Sequence, residues 1–153
     1  MTVHAPAAVL FDLDGTLVDT APDLLAAVNE LRAGEGLAPM SLAGFRWQVS
    51  RGARAMLDAD IPAFVGADGE VQQAWVARLL ATYGARVYRH STLFPGVADL
   101  LDGLRRRGIA LAVVTNKPER MAVELLAAMG LADDFPVVLG GDHSVNIPCI
   151  RAF

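Results

Sequence analysis

The stretch Ala8-Val9-Leu10-Phe11-Asp12-Leu13-Asp14-Gly15-Thr16-Leu17 decides how this chain is read. Its compact apolar run predicts a short strand over 8–14, ended by Asp14-Gly15. Two carboxylates then stand among residues expected to be buried: Val9, Leu10, Phe11 and Leu13. A buried charge is costly without a partner or a metal, so the strand end calls for something to offset it. Asp-Gly also marks hairpin turns, but the segment that follows has a helical period and supplies no partner strand. Alternate strand residues face the same way, roughly 6.5–7 Å apart, so Asp12 and Asp14 are expected to converge on one ligand. Gly15 permits close backbone approach, and the amides of Gly15 and Thr16 can point at an anion.

Working outward, Leu24, Leu25, Val28 and Leu31 share a helical face, with Pro22 suited to the first turn and Gly34 and Gly36 to the stop. Ser41 is placed to cap a second short helix, and 51–60 reads as a third. Val71, Trp75, Leu79, Tyr83 and Val87 step by four and predict a long amphipathic helix. Residues 20–90 therefore read as an all-helical block. After Pro95-Gly96 the pattern changes to α/β. A helix face of Val97, Leu100, Leu101 and Leu104 is followed by an apolar strand from Ile109 to Val114, ending in Thr115-Asn116. Pro118 opens another helix, with Met121, Leu125 and Met129, and 136–139 reads as a third strand. Strands separated by helices imply a parallel sheet covered on both faces. Ligands of such sheets bind beyond the carboxyl ends of the strands, which places Thr115 and Asn116 beside Asp12 and Asp14. Arg105, Arg106 and Arg107 form a basic run in a last helical turn, best read as a solvated terminus. Trp47 and Trp75 are expected to be packing residues.

The 153-residue chain is long enough for one domain carrying an insertion. No uninterrupted apolar stretch has the length of a membrane span, and its first residues have neither a basic region nor a cleavage site of a secretory signal. One cysteine, Cys149, excludes an internal disulfide framework. These features predict a cytoplasmic protein. A net charge of −4 argues against bulk nucleic-acid binding and leaves small anionic substrates open.

Phe11-Asp12-Leu13-Asp14-Gly15-Thr16-Leu17, followed by Asp19-Thr20, resembles the first motif of the haloacid dehalogenase superfamily. Val113-Val114-Thr115-Asn116-Lys117-Pro118 resembles its second motif, in the form usual for phosphoglycolate phosphatases, and Leu139-Gly140-Gly141-Asp142 resembles the sequence after the third strand. The resemblance implies a Rossmann-like α/β core over 1–19 and 91–153, with about three strands, and an inserted α-helical cap over 20–90. It implies a phosphate monoester hydrolase acting on a small phosphorylated metabolite, most closely 2-phosphoglycolate. Asp12 would be the nucleophile that becomes an aspartyl-phosphate, and Asp14 the acid and base. Thr115, the Asn116 amide and the amides of Gly15 and Thr16 would hold phosphoryl oxygens. Lys117 would add positive charge there, or else stand exposed at a helix start. Mg²⁺ would use the Asp12 carboxylate and the Asp14 carbonyl.

The helical block is expected to choose the leaving group. Arg51 or Arg54, in Val49-Ser50-Arg51-Gly52-Ala53-Arg54, could bind a substrate carboxylate, or be ordinary surface arginines. The same loop resembles the form in a branch acting on N-acetylmuramic acid 6-phosphate, which stands as an alternative substrate. A sugar phosphomutase of the superfamily and an inactive remnant are further alternatives. A receiver domain is disfavoured by the long helical insertion. The resemblance also implies a third-motif lysine and an acidic fourth motif. Residues 143–153 contain neither, and no lysine follows Lys117. A frameshifted or truncated gene product with poor turnover is the expectation. The sequence leaves the oligomeric state open.

Overall fold

Residues 6–141 are described by the computed structural model, in two compact units. Among the described residues, the first is built of 6–17 and 93–141, the second of 18–92. Asp142, the segment 143–153 and Cys149 lie outside the described residues.

The first unit begins with β1 (Ala8–Phe11). The second contains β2 (Val18–Asp19), α1 (Ala21–Gly34), α2 (Leu42–Phe45), a 3₁₀ segment Arg46–Arg51, α3 (Ala53–Asp60) and α4 (Gly69–Gly84). After β3 (Thr92–Leu93), the first unit continues through α5 (Val97–Arg106), β4 (Ala110–Thr115), α6 (Glu119–Ala128) and β5 (Val137–Gly140). β1, β4 and β5 form a three-stranded parallel sheet in the order β1-β4-β5, so the expected α/β fold with three core strands is present. β2 and β3 pair as a separate two-stranded sheet.

Register explains where the sheet's core lies. Val9 and Phe11, opposite Leu111 and Val113, share a face with Thr115, Val138 and Gly140. Leu111 and Val113 are buried, and Phe11 meets Phe135 edge-on at 6.2 Å. The opposite face carries Leu10, Val137 and Leu139, which are about half exposed. The expectation of a buried Leu10 is thus corrected, as is that of a sheet covered twice by the described residues. One-residue alternation puts Leu10 on the face opposite Phe11.

β1 is also shorter than the predicted strand. The Leu13 carbonyl accepts from the N–H groups of Thr16 and Leu17 (3.3 and 3.1 Å), and the Leu13 N–H turns to the Asp12 side chain. These bonds wind the chain into a turn directly after Phe11. Leu13 itself is fully buried.

In the second unit, α1 buries Leu24, Val28 and Leu31 as its period predicts, with Ala27 on the same face, while Leu25 is only half-buried. The α4 stripe needs correction. Its buried face is Val76, Leu79 and Tyr83, while Val71 is exposed and Val87 lies beyond the helix end. Trp47 is also not a packing residue: it is 58% exposed, with the Arg51 guanidinium 5.1 Å from its ring centroid. Ser41 precedes α2 without a side-chain cap bond. In the first unit, Arg105 pairs with Asp134 at 2.7 Å and Arg106 with Asp102, in keeping with a solvated helix terminus.

At the end of β5, Gly140 crosses so close to the start of α6 that a Cβ there would overlap the Glu119 backbone. Backbone cannot swing aside as a flexible side chain can. Gly140→Ala is expected to lower unfolding free energy by about 3 kcal/mol, read as a lower denaturant midpoint at unchanged slope. Gly103→Ala, inside α5 with only the Arg106 side chain as near as 4.0 Å, should instead be neutral or stabilise by up to about 1 kcal/mol.

Candidate active site

Two strand ends build the site. β1 runs parallel to β4 with Phe11 opposite Val113, so the chain leaves both strands at the same edge of the sheet. Beyond Phe11 come Asp12, Asp14, Gly15 and Thr16. Beyond Val114 come Thr115, Asn116 and Lys117. Gly15 has a φ of +80°, a backbone conformation that favours glycine in this turn.

Asp12 remains open to solvent on one side, and its Oδ1 accepts the Leu13 N–H at 2.8 Å. Its carboxyl is raised above the ordinary 3.8, chiefly because partial burial disfavours the charged form. The Asp14 charge pushes the same way. The Leu13 N–H, the Thr115 hydroxyl and the Lys117 charge oppose it. The two aspartates sit on a turn rather than on a strand.

Thr115 and Lys117 are buried, and Asn116 between them is exposed. The Lys117 N–H donates to Thr115 Oγ1 at 3.2 Å, while the Thr115 carbonyl accepts from Gly141 N–H at 2.9 Å. The Lys117 Nζ lies 3.2 and 3.3 Å from the two Asp14 carboxylate oxygens. Of the two expectations for Lys117, the exposed helix-start residue is therefore wrong: its side chain is only 4% exposed. The amide of Thr16 is engaged by the Leu13 carbonyl at 3.3 Å, and Thr16 is exposed.

Asp12, Asp14, Gly15, Thr16, Thr115, Asn116 and Lys117 all belong to the first unit, whereas Arg51 and Arg54 belong to the second. There Arg51 stacks on Trp47, and Arg54 donates to Gln72 Oε1 at 3.0 Å. Arg54 also borders a cavity of about 300 Å³ with Ala55, Asp58, Phe64 and Gln72.

Sequence reasoning missed Asp23. Fully buried in the first turn of α1, its carboxylate accepts the N–H groups of Arg89, His90 and Ser91 at 2.9–3.1 Å and the Ser91 hydroxyl at 2.6 Å. An acid in a helix's first turn is ordinary, so no local signal marked this one out.

Among the described residues, no three His, Cys, Asp or Glu side chains gather as a metal-binding group. No helix among them is long and apolar enough to cross a membrane.

Comparison with known proteins agrees with this fold. A phosphoglycolate phosphatase of Caulobacter vibrioides is 44% identical over 138 residues, covering 89% of this chain and 58% of the relative. One of Xanthomonas campestris is 43% identical over 137 residues, covering 90% and 61%. The chain thus spans about three-fifths of the length of these curated relatives. A Haemophilus somnus crystal structure, described as a predicted phosphoglycolate phosphatase, superposes with a TM-score of 0.76 at 29% identity, covering 92% of this chain and 64% of that one. The family model for haloacid dehalogenase-like hydrolases matches residues 6–149, spanning both strand ends and the helical unit between them, and the chain belongs to that family.

Proposed function

We propose that this protein is a phosphate monoester hydrolase of the phosphoglycolate phosphatase type, acting on a small phosphorylated metabolite in the cytoplasm. The observation that carries this reading is the gathering of Asp12, Asp14, Thr115 and Lys117 at neighbouring parallel strand ends. That the relatives at 43–44% identity are phosphoglycolate phosphatases supports 2-phosphoglycolate as the substrate.

In the first step an Asp12 carboxylate oxygen bonds to phosphorus as the bond from phosphorus to the ester oxygen breaks. The electron pair stays on the ester oxygen, which takes the proton of the Asp14 carboxyl. In the second, Asp14 takes a proton from water, whose oxygen attacks phosphorus and releases phosphate and the Asp12 carboxylate. Two steps replace one difficult displacement. The Thr115 hydroxyl and the Asn116 amide are suited to phosphoryl oxygens. Arg51 or Arg54 of the helical unit would meet a substrate carboxylate.

The site offers hard oxygen donors, the Asp12 carboxylate and the Asp14 backbone carbonyl, a set that suits Mg²⁺ because this ion keeps waters and phosphate oxygens as its remaining ligands. Bound there, it would supply positive charge between nucleophile and phosphate.

Phosphate release from 2-phosphoglycolate, N-acetylmuramic acid 6-phosphate and a hexose 1-phosphate, each with Mg²⁺ or with EDTA, tests the reading. Release is expected from 2-phosphoglycolate on the order of tenfold or more above the other two, and EDTA should abolish it. A phosphomutase would rearrange the sugar phosphate without liberating phosphate. No release from any ester would sink the hydrolase reading.

A further inference from the structure

Lys117 is the least exposed charged group of the site, and a lysine is seldom buried this far unless it is paired. Local chemistry holds it there. Thr115, the last residue of β4, takes the Lys117 N–H on its hydroxyl. Pro118 follows with φ −51° and ψ 131°, so α6 begins only at Glu119. The Lys117 backbone lies between a strand end and a helix start. Its side chain reaches Asp14, 103 residues away in sequence, with nearly equal distances to both oxygens.

That direction distinguishes two roles. A lysine serving the phosphoryl group would be aimed at the nucleophile's side of the site. This one is aimed at the second aspartate. We propose that Lys117 is a positioning residue for Asp14, setting the orientation from which the Asp14 carboxyl hands its proton to the leaving oxygen. The proposal rests on the hydrolase reading above. An ammonium has three donors and no acceptor. Nζ stands 3.2 and 3.3 Å from the two Asp14 carboxylate oxygens, so the pair sets the direction in which the whole carboxyl points.

The role has a signature that neither a phosphate-gripping nor a purely structural lysine shares. A substrate with an alkoxide leaving group needs a proton from Asp14, whereas 4-nitrophenolate departs without one. Lys117→Met should lower kcat on 2-phosphoglycolate by on the order of a hundredfold. On 4-nitrophenyl phosphate it should lower kcat by less than about threefold, with KM nearly unchanged for both. An equal loss on both esters, or a loss confined to KM, overturns the proposal. If the wild-type chain turns over neither ester, the hydrolase reading has failed. The crystal structure of the Lys117→Met chain then decides on Lys117 by itself. An Asp14 carboxyl swung away from its original direction supports the positioning role, and an unmoved one overturns it.

Discussion

Asp12→Asn is expected to lower phosphate release from 2-phosphoglycolate by on the order of a thousandfold or more, because the amide cannot attack phosphorus or form the acyl-phosphate. The isosteric change should leave the fold in place. Its effect on stability has a definite sign. The Asp12 carboxyl is raised above its unfolded value of 3.8, so the native state favours the protonated form. The stabilising contribution of that form is complete below pH 3.8 and is lost as pH rises through the native value. At neutral pH the ionised carboxylate therefore opposes folding, mainly through its partial burial and secondarily through Asp14. Asparagine removes that opposition. The variant should unfold at the same temperature as wild type or slightly higher, and its stability should fall less as pH rises above 3.8. Phosphate release and thermal melts on the same preparation check both halves. A variant that loses activity along with its cooperative melt would show only that Asp12 is needed for folding.

The second large effect is expected at Asp23, which takes no part in the proposed chemistry. Asp23→Ala removes one carboxylate and strands four donors: three backbone N–H groups and the Ser91 hydroxyl. Buried donors without acceptors cost about 1–3 kcal/mol each, and water reaching the exposed residues Arg89 and His90 reduces the total. A loss of about 3 kcal/mol is expected, or roughly 6–12 °C in melting temperature for a chain of this size. The turn at 89–91 is already demanding. Tyr88, just before it, has a φ of 64°, a left-handed conformation that costs a residue with a Cβ about 1–2 kcal/mol. The Asp23 bonds help to hold that turn. Asp23→Asn keeps one acceptor oxygen and should lose about half as much. A drop under about 0.5 kcal/mol for the alanine variant would mean that water satisfies these donors in full.

How much of this was legible beforehand depended on whether the evidence was local. Periodicity located α1, α5, α6 and the three core strands, because a buried stripe and a continuous apolar run leave their mark on adjacent residues. The α4 stripe misled for the same reason. A four-residue step through Val71, Trp75, Leu79, Tyr83 and Val87 exists in the sequence, but the packing partners selected Val76, Leu79 and Tyr83. At the site, the motif residues Asp12, Asp14 and Thr115 were identifiable by type and spacing. The turn that carries the aspartates was not, because it depends on the Leu13 carbonyl capturing two amides.

The sequence by itself determined the family, the parallel α/β core with a helical insertion, and the identity of the acids at the first strand end. These follow from residue types and periods along a continuous stretch of chain. Tertiary structure decided what those residues face. Lys117 had two equal readings in the sequence, a site cation or an exposed helix-start residue, and only β1 and β4 lying side by side bring its ammonium to Asp14. Asp23 had no reading at all until the chain returned at Arg89–Ser91 to meet it. Both are long-range electrostatic pairings, each spanning more than sixty residues. A partner that distant leaves no periodic trace in the chain, so only the folded geometry could supply it.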